Sequence, residues 1–204
     1  LRRRGIRPAI TKDGEQIQLL ANIELVEDVE TARVNGAQGI GLYRTEFLYM
    51  NRDRPPSEEE HFDAYRAVVE GMQGYPVTIR TLDLGADKQP GTATTSATTC
   101  NPALGLRAIR LCLKEPELFY PQIRAILRAS ALGQTRIMLP MLTNVWEIEQ
   151  AVRLIRQAMQ HLQADGIAYD SQIPIGGMIE VPAAALDARA FAQRLDFLSI
   201  GTND

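Results

Sequence analysis

Short apolar runs alternate with longer stretches of helical periodicity from one end of this chain to the other, which restricts the fold to βα units built on a parallel sheet. The runs span residues 17–23, 39–42, 76–82, 136–142, 173–179 and 197–200, giving six expected strands. Five of them are rich in Ile, Leu or Val without polar alternation, the pattern of strands covered on both faces. Between the runs, Ser57 with Glu60 has the spacing of a capping box ahead of Phe62, Tyr65, Val68, Val69 and Met72, which share a helical face. Asn144 with Glu147 repeats the device before Ile148, Val152, Ile155, Met159 and Leu162. Residues 104–130 also read as helical, with Pro116 and Pro121 expected to break or restart the helix. The small, polar segment QPGTATTSATTC, residues 89–100, reads as a loop.

Two architectures take six such units. A doubly wound open sheet calls for a glycine-rich phosphate turn after its first strand, and ANIELVEDVE has none. A (β/α)8 TIM barrel places its working residues at the C-terminal ends of several strands, and the polar residues here fall at such positions. The expected fold is therefore an α/β barrel, incomplete because six strands cannot close a barrel of eight. Residues 13–204 form that partial barrel, and the basic start with Arg2, Arg3, Arg4 and Arg7 makes residues 1–12 a linker remnant.

Composition narrows the setting. With 204 residues and 45% hydrophobic content the chain can bury a proper core, and a net charge of −3 with pI near 5.5 speaks against a nucleic-acid binder. Cys100 and Cys112 form neither a metal-ligand spacing nor a disulfide framework, which favours a reducing cytoplasm. No stretch approaches the roughly 20 apolar residues that span a bilayer, and no signal-type segment follows the arginines.

The strand ends carry the candidate chemistry. YRTEF puts Arg44 and Glu46 after one strand, and IRTLDLGADK puts Arg80, Asp83, Asp87 and Lys88 after the next. An arginine there needs an anionic partner, because its charge is costly to desolvate and its planar fork suits a carboxylate or phosphate. Two readings stand side by side: structural ion pairs with Glu46, Asp83 or Asp87, or an anionic ligand held by both arginines beside Lys88. Arg107 lies at a helix start near the presumed mouth, whereas Arg110 reads as a solvated helix face. Glu180 ends the fifth strand just before Pro182, and Asn203 and Asp204 follow the sixth. Each carboxylate alone suits a helix cap; together, facing arginines, they suit Mg2+ and a phosphate. His61 and His161 read as surface residues, and Trp146 as outer packing.

GIGLYRTEFLYMNRDRPPSEEEHFDAY, PVTIRTLDLGADK, NPALGLRAIR, IMLPML, GGMIEVPAA and LSIGTND, in this order and spacing, resemble the phosphoenolpyruvate-binding domain of the Enzyme I family, the phosphoenolpyruvate-protein phosphotransferases of the bacterial phosphotransferase system. The resemblance runs from about residue 13 to 204. It implies a barrel that binds phosphoenolpyruvate with Mg2+, dimerises, and passes the phosphoryl group to a histidine on a separate domain and then to a histidine-containing carrier protein, in either the sugar-transport or the nitrogen-regulatory branch. By motif match, Arg44, Arg80 and Arg107 would bind the substrate's phosphate and carboxylate, with Lys88 and Asn203 as further contacts, and Glu180 and Asp204 would hold Mg2+.

The departures matter as well. The family's proton-donating cysteine and phosphoryl-accepting histidine match no residue here, and the expectation is a fragment without turnover of its own, carrying no catalytic residue of the family. Two other families remain as alternatives: the phosphoenolpyruvate synthase and pyruvate phosphate dikinase group, which shares the barrel and an RTE-type motif, and a non-catalytic regulatory paralogue.

Overall fold

A computed structural model describes residues 8–85 and 105–202 of the chain. Its centre is a six-stranded, wholly parallel sheet in sequential order: β3 (Ala21–Ile23), β4 (Ile40–Arg44), β5 (Val77–Arg80), β6 (Thr135–Leu139), β7 (Ile175–Ile179) and β8 (Phe197–Ile200). Sequential parallel order with a helix after most strands is the winding of a (β/α) barrel, and the six expected strands are the six observed. The first run splits: β2 (Gln16–Ile17) leaves the main sheet and pairs antiparallel with β1 (Ala9–Ile10), a small hairpin that apolar periodicity alone did not show.

The inner strands β4 to β7 are covered on both faces because two cores flank them, while the edge strands β3 and β8 stay partly open. One core lies between the sheet and the helices α1 (Asp28–Val34), α2 (Glu58–Gly71), α3 (Ala108–Lys114), α4 (Pro116–Ser130), α5 (Val145–Ala164), α6 (Pro182–Leu186) and α7 (Ala188–Ala192), and it takes Ile40, Ile79, Ile137, Leu139, Phe119, Ile123, Ile126 and Ile155. Each of these large side chains contributes about 1.5–3 kcal/mol by leaving water. The other, much smaller, fills the concave side: Leu42, Met138 and Met178 with Phe197 packed against them. Side chains alternate along a strand, so Arg44 and Glu180, two residues after Leu42 and Met178, belong to that same face, as does Arg80, the cross-strand partner of Met138. Gly176 makes room for this small core, since a Cβ there would lie 2.4 Å from the Phe197 ring.

Helix starts follow the expected devices with two changes. The Ser57–Glu60 capping box forms, with Ser57 N–H donating to Glu60 Oε2 at 2.8 Å. At α5, Asn144 Oδ1 caps the Glu147 N–H, but the Glu147 carboxylate turns to the N–H and hydroxyl of Thr143, so the reciprocal half of the box shifts by one residue. Pro116 restarts the helix as α4, at the first turn where its missing N–H costs nothing. Pro121, expected to interrupt it, sits inside α4, whose buried stripe of Leu118, Phe119, Ile123 and Ile126 outweighs one lost hydrogen bond.

Three surface assignments change. His61 is fully buried, while His161 is exposed as expected; Arg110 is half-buried, not on a solvated face; and Trp146, expected to pack, stands 61% exposed on the first turn of α5. Lys88, Asn203, Asp204, Cys100, the 89–100 segment and the first seven residues of the linker lie outside the described residues.

Candidate functional site

The site grows out of strand register. Arg44 and Arg80 end adjacent strands and are direct cross-strand partners, which sets two guanidinium side chains next to each other at the C-terminal rim. Like charges at that spacing are tolerated only with counter-ions, and each has its own. Arg44 Nη1 meets Glu24 Oε1 at 2.5 Å, just past β3. Arg80 Nη2 meets Glu46 Oε1 at 2.6 Å, Glu46 being carried back toward β5 by the 3-10 turn Thr45–Tyr49 that follows β4.

Asp83 joins a third arginine to this pair. Its Oδ1 accepts from Arg107 Nη2 at 2.8 Å, and its Oδ2 lies 3.4 Å from Arg80 Nη1. The backbone enforces this: Gly85 and Arg107 form an isolated antiparallel bridge, and the Ala108 N–H donates to Leu84 O at 3.0 Å. Ala108 takes a left-handed backbone (φ +48°) directly after Arg107, a strained turn of the kind that gathers at functional sites. Arg80 Nη1 also comes within 4.0 Å of Met178 Sδ, aiming the side chain across the concave face toward β7.

Glu180 directly follows β7 on the same face. Its Oε1 accepts from the N–H of Met141 at 2.6 Å, and Met141, buried beyond β6, is itself left-handed (φ +55°). Gly201 has no side chain to crowd this carboxylate; a Cβ there would fall 2.8 Å from Glu180 Cβ and 3.3 Å from its Oε2. The cradle therefore suits an ion beside Glu180, and a carboxylate oxygen is the hard donor that Mg2+ prefers. Among the described residues no group of three His, Cys, Asp or Glu forms a metal cluster.

Of the two readings of the arginines, the structure shows the ion pairs. Yet Arg80 Nε and Glu46 Oε2 are buried without a hydrogen-bond partner among the described residues. Burial pushes the Glu46 carboxyl above its ordinary range, against the downward pull of the Arg80 guanidinium. Such unsatisfied groups cost stability in a resting protein and point to a ligand that satisfies them.

Behind the rim lies a buried polar chain that residue-by-residue reading missed. Gln122 of α4 accepts the Leu82 N–H at its Oε1 (2.8 Å), and its Nε2 donates to Thr45 Oγ1 and Tyr65 Oη, both at 3.0 Å. Thr45 Oγ1 donates to Arg80 O at 2.9 Å. Beyond Tyr65, His61 lies between two hydroxyls, with Tyr65 Oη 3.0 Å from Nδ1 and Tyr49 Oη 3.1 Å from Nε2. A sequence signal existed: positions 61, 65, 68 and 72 repeat at helical spacing, which puts His61 on the buried stripe of α2.

Comparison with known proteins gives the family. The family model described as "PEP-utilising enzyme, PEP-binding domain" matches residues 2–204. A phosphoenolpyruvate-protein phosphotransferase of Cupriavidus necator is 53% identical over 199 residues, covering 97% of this chain and 34% of that protein. Those of Staphylococcus carnosus and Bacillus subtilis are 48% and 47% identical, again with 34% of each relative covered. The chain thus spans about a third of the length of the relatives it matches. A match over nearly all its residues, on a partial barrel, places the chain in the family of phosphoenolpyruvate-binding domains of phosphoenolpyruvate-utilising enzymes.

Proposed function

We propose that this chain binds phosphoenolpyruvate at the C-terminal rim of the partial barrel, as the substrate-holding part of a cytoplasmic, dimeric phosphoenolpyruvate-protein phosphotransferase serving sugar transport. The observation that carries this reading is the Arg80–Asp83–Arg107 cluster with Arg44 beside it: three planar forks at one strand-end layer suit a ligand bearing a phosphate and a carboxylate. Arg80, with its buried Nε unpartnered, is the primary contact; Arg107 and Arg44 complete the clamp, with Lys88 and Asn203 as further contacts.

Charge balance favours a metal-assisted complex. Three arginines stand against the carboxylates of Glu24, Glu46, Asp83 and Glu180, so a multiply charged anion entering alone meets no net positive site among the described residues. Glu180 and Asp204 would hold Mg2+, which supplies charge neutralisation at the transferring phosphoryl group. The arginines orient the phosphate toward the acceptor, and the rim shields it from bulk water. The acceptor is a histidine on another domain of the same protein, and the phosphoryl group then passes to a histidine-containing carrier protein.

Calorimetric titration of the natural full-length protein tests this. Phosphoenolpyruvate with Mg2+ is expected to bind measurably, Arg80→Gln to weaken binding at least about a hundredfold by removing a charge-assisted contact, and Glu180→Gln to remove the dependence on Mg2+. Full binding by Arg80→Gln, or none by the unaltered protein, overturns the reading.

A further inference from the structure

The polar chain behind the rim has a direction, and the direction can be read from one backbone group. The Leu82 N–H can only donate, so the Gln122 atom facing it must be the oxygen, and Nε2 must face Thr45 and Tyr65. Two donors then leave Gln122. One enters Thr45 Oγ1, whose own proton goes to Arg80 O. The other enters Tyr65 Oη, which turns its proton to His61 Nδ1. With Nδ1 an acceptor, neutral His61 carries its proton on Nε2 and donates to Tyr49 Oη.

We propose that Gln122 is a positioning residue for the anion site: it clamps the ends of β4 and β5 so that Arg80 and the Glu46 turn keep their places, and it holds His61 as the Nε2–H tautomer. The proposal rests on the reading of that rim as a phosphoenolpyruvate site. Three elements meet at this one side chain: the 3-10 turn through Thr45, the extension of β5 through Leu82, and α2 through Tyr65. Gln122, Thr45 and Tyr65 are all fully buried, so no water replaces a lost partner. The carbonyl fixed by Thr45 belongs to Arg80 itself, so a slack bracket moves the residue that grips the ligand. Gln122 acts through the groups it bonds, being wholly buried behind the rim.

Two measurements test this, one of them needing no variant. Long-range 1H–15N correlation spectra of this chain at neutral pH are expected to show His61 protonated on Nε2, with exposed His161 as the internal reference; a protonated Nδ1 reverses the chain and overturns the proposal. For function, Thr45→Val removes the hydroxyl while keeping the shape, and roughly tenfold weaker phosphoenolpyruvate binding is expected from the unpaired groups it leaves. Ser130→Ala is the control, since it deletes a buried hydroxyl bonded to Leu127 O and Asp170 N at the far end of α4. Equal losses of affinity in the two variants overturn the positioning role. Absence of binding by the unaltered protein refutes instead the reading of the rim, and the tautomer result stands apart from that outcome.

Discussion

Burial sets what His61 can do with a proton. Desolvation lowers its pKa from 6.5 to about 4, and a second ring proton would have to displace the one that the Tyr65 hydroxyl gives to Nδ1. A base whose folded pKa is depressed binds fewer protons when folded than when unfolded, so its contribution to stability is complete above 6.5 and is lost as pH falls toward 4. About 2 kcal/mol of this loss should fall between pH 7 and 5. Urea denaturation at those two values checks it, with His61→Gln expected to flatten the slope while keeping a partner for the tyrosines. A slope unaltered by the substitution refutes the assignment. The arginines were legible in the sequence, because a guanidinium at the end of an apolar strand must be explained by an anion. His61 was not, because its three preceding glutamates suggest solvent; the helical period that buries it becomes decisive only once α2 lies on α4. Glu24 escaped notice for a different reason: it pairs with Arg44 across a sheet register that a linear sequence does not contain.

At the scale of elements, the strands and long helices were readable because period and punctuation coincide in them, while the short pieces were not. The β1–β2 hairpin, α6 and α7 are too short to show a period, and α4 runs through Pro121 because tertiary burial overrides local propensity. The entrance to β4, which delivers Arg44, depends on Gly39. Its φ is +149°, and a Cβ would sit 2.7 Å from Pro76 O, the same carbonyl that accepts the Ile40 N–H at the start of β4. Neither partner can yield without disturbing the β4–β5 ladder. Gly39→Ala should therefore cost about 2–4 kcal/mol in denaturant unfolding and should weaken phosphoenolpyruvate binding along with stability. A variant as stable as the parent would show that the ladder tolerates a shift there.

For the whole molecule, the described sheet has two edges, β3 and β8, each hydrogen-bonded on one side only. An open parallel edge is a template for another strand, and β8 is the more exposed, with Ile200 at 78%. The chain in isolation is expected to self-associate, and Ile200→Lys to shift it toward monomer in light scattering; a parent that is already monomeric at high concentration contradicts this. Among the described residues no helix is long and apolar enough to cross a membrane.

Trp146 is the chain's single tryptophan, and it stands out from the first turn of α5 at the same end of the barrel as the arginines. Its emission is accordingly that of a solvated indole before unfolding begins, so tryptophan fluorescence will change little as the core melts. The core has its own chromophores in Tyr43 and Tyr65, packed edge to face with centroids 6.0 Å apart. Near-ultraviolet signals from tyrosine follow the fold, while the indole remains available as an optical reporter of what arrives at the rim.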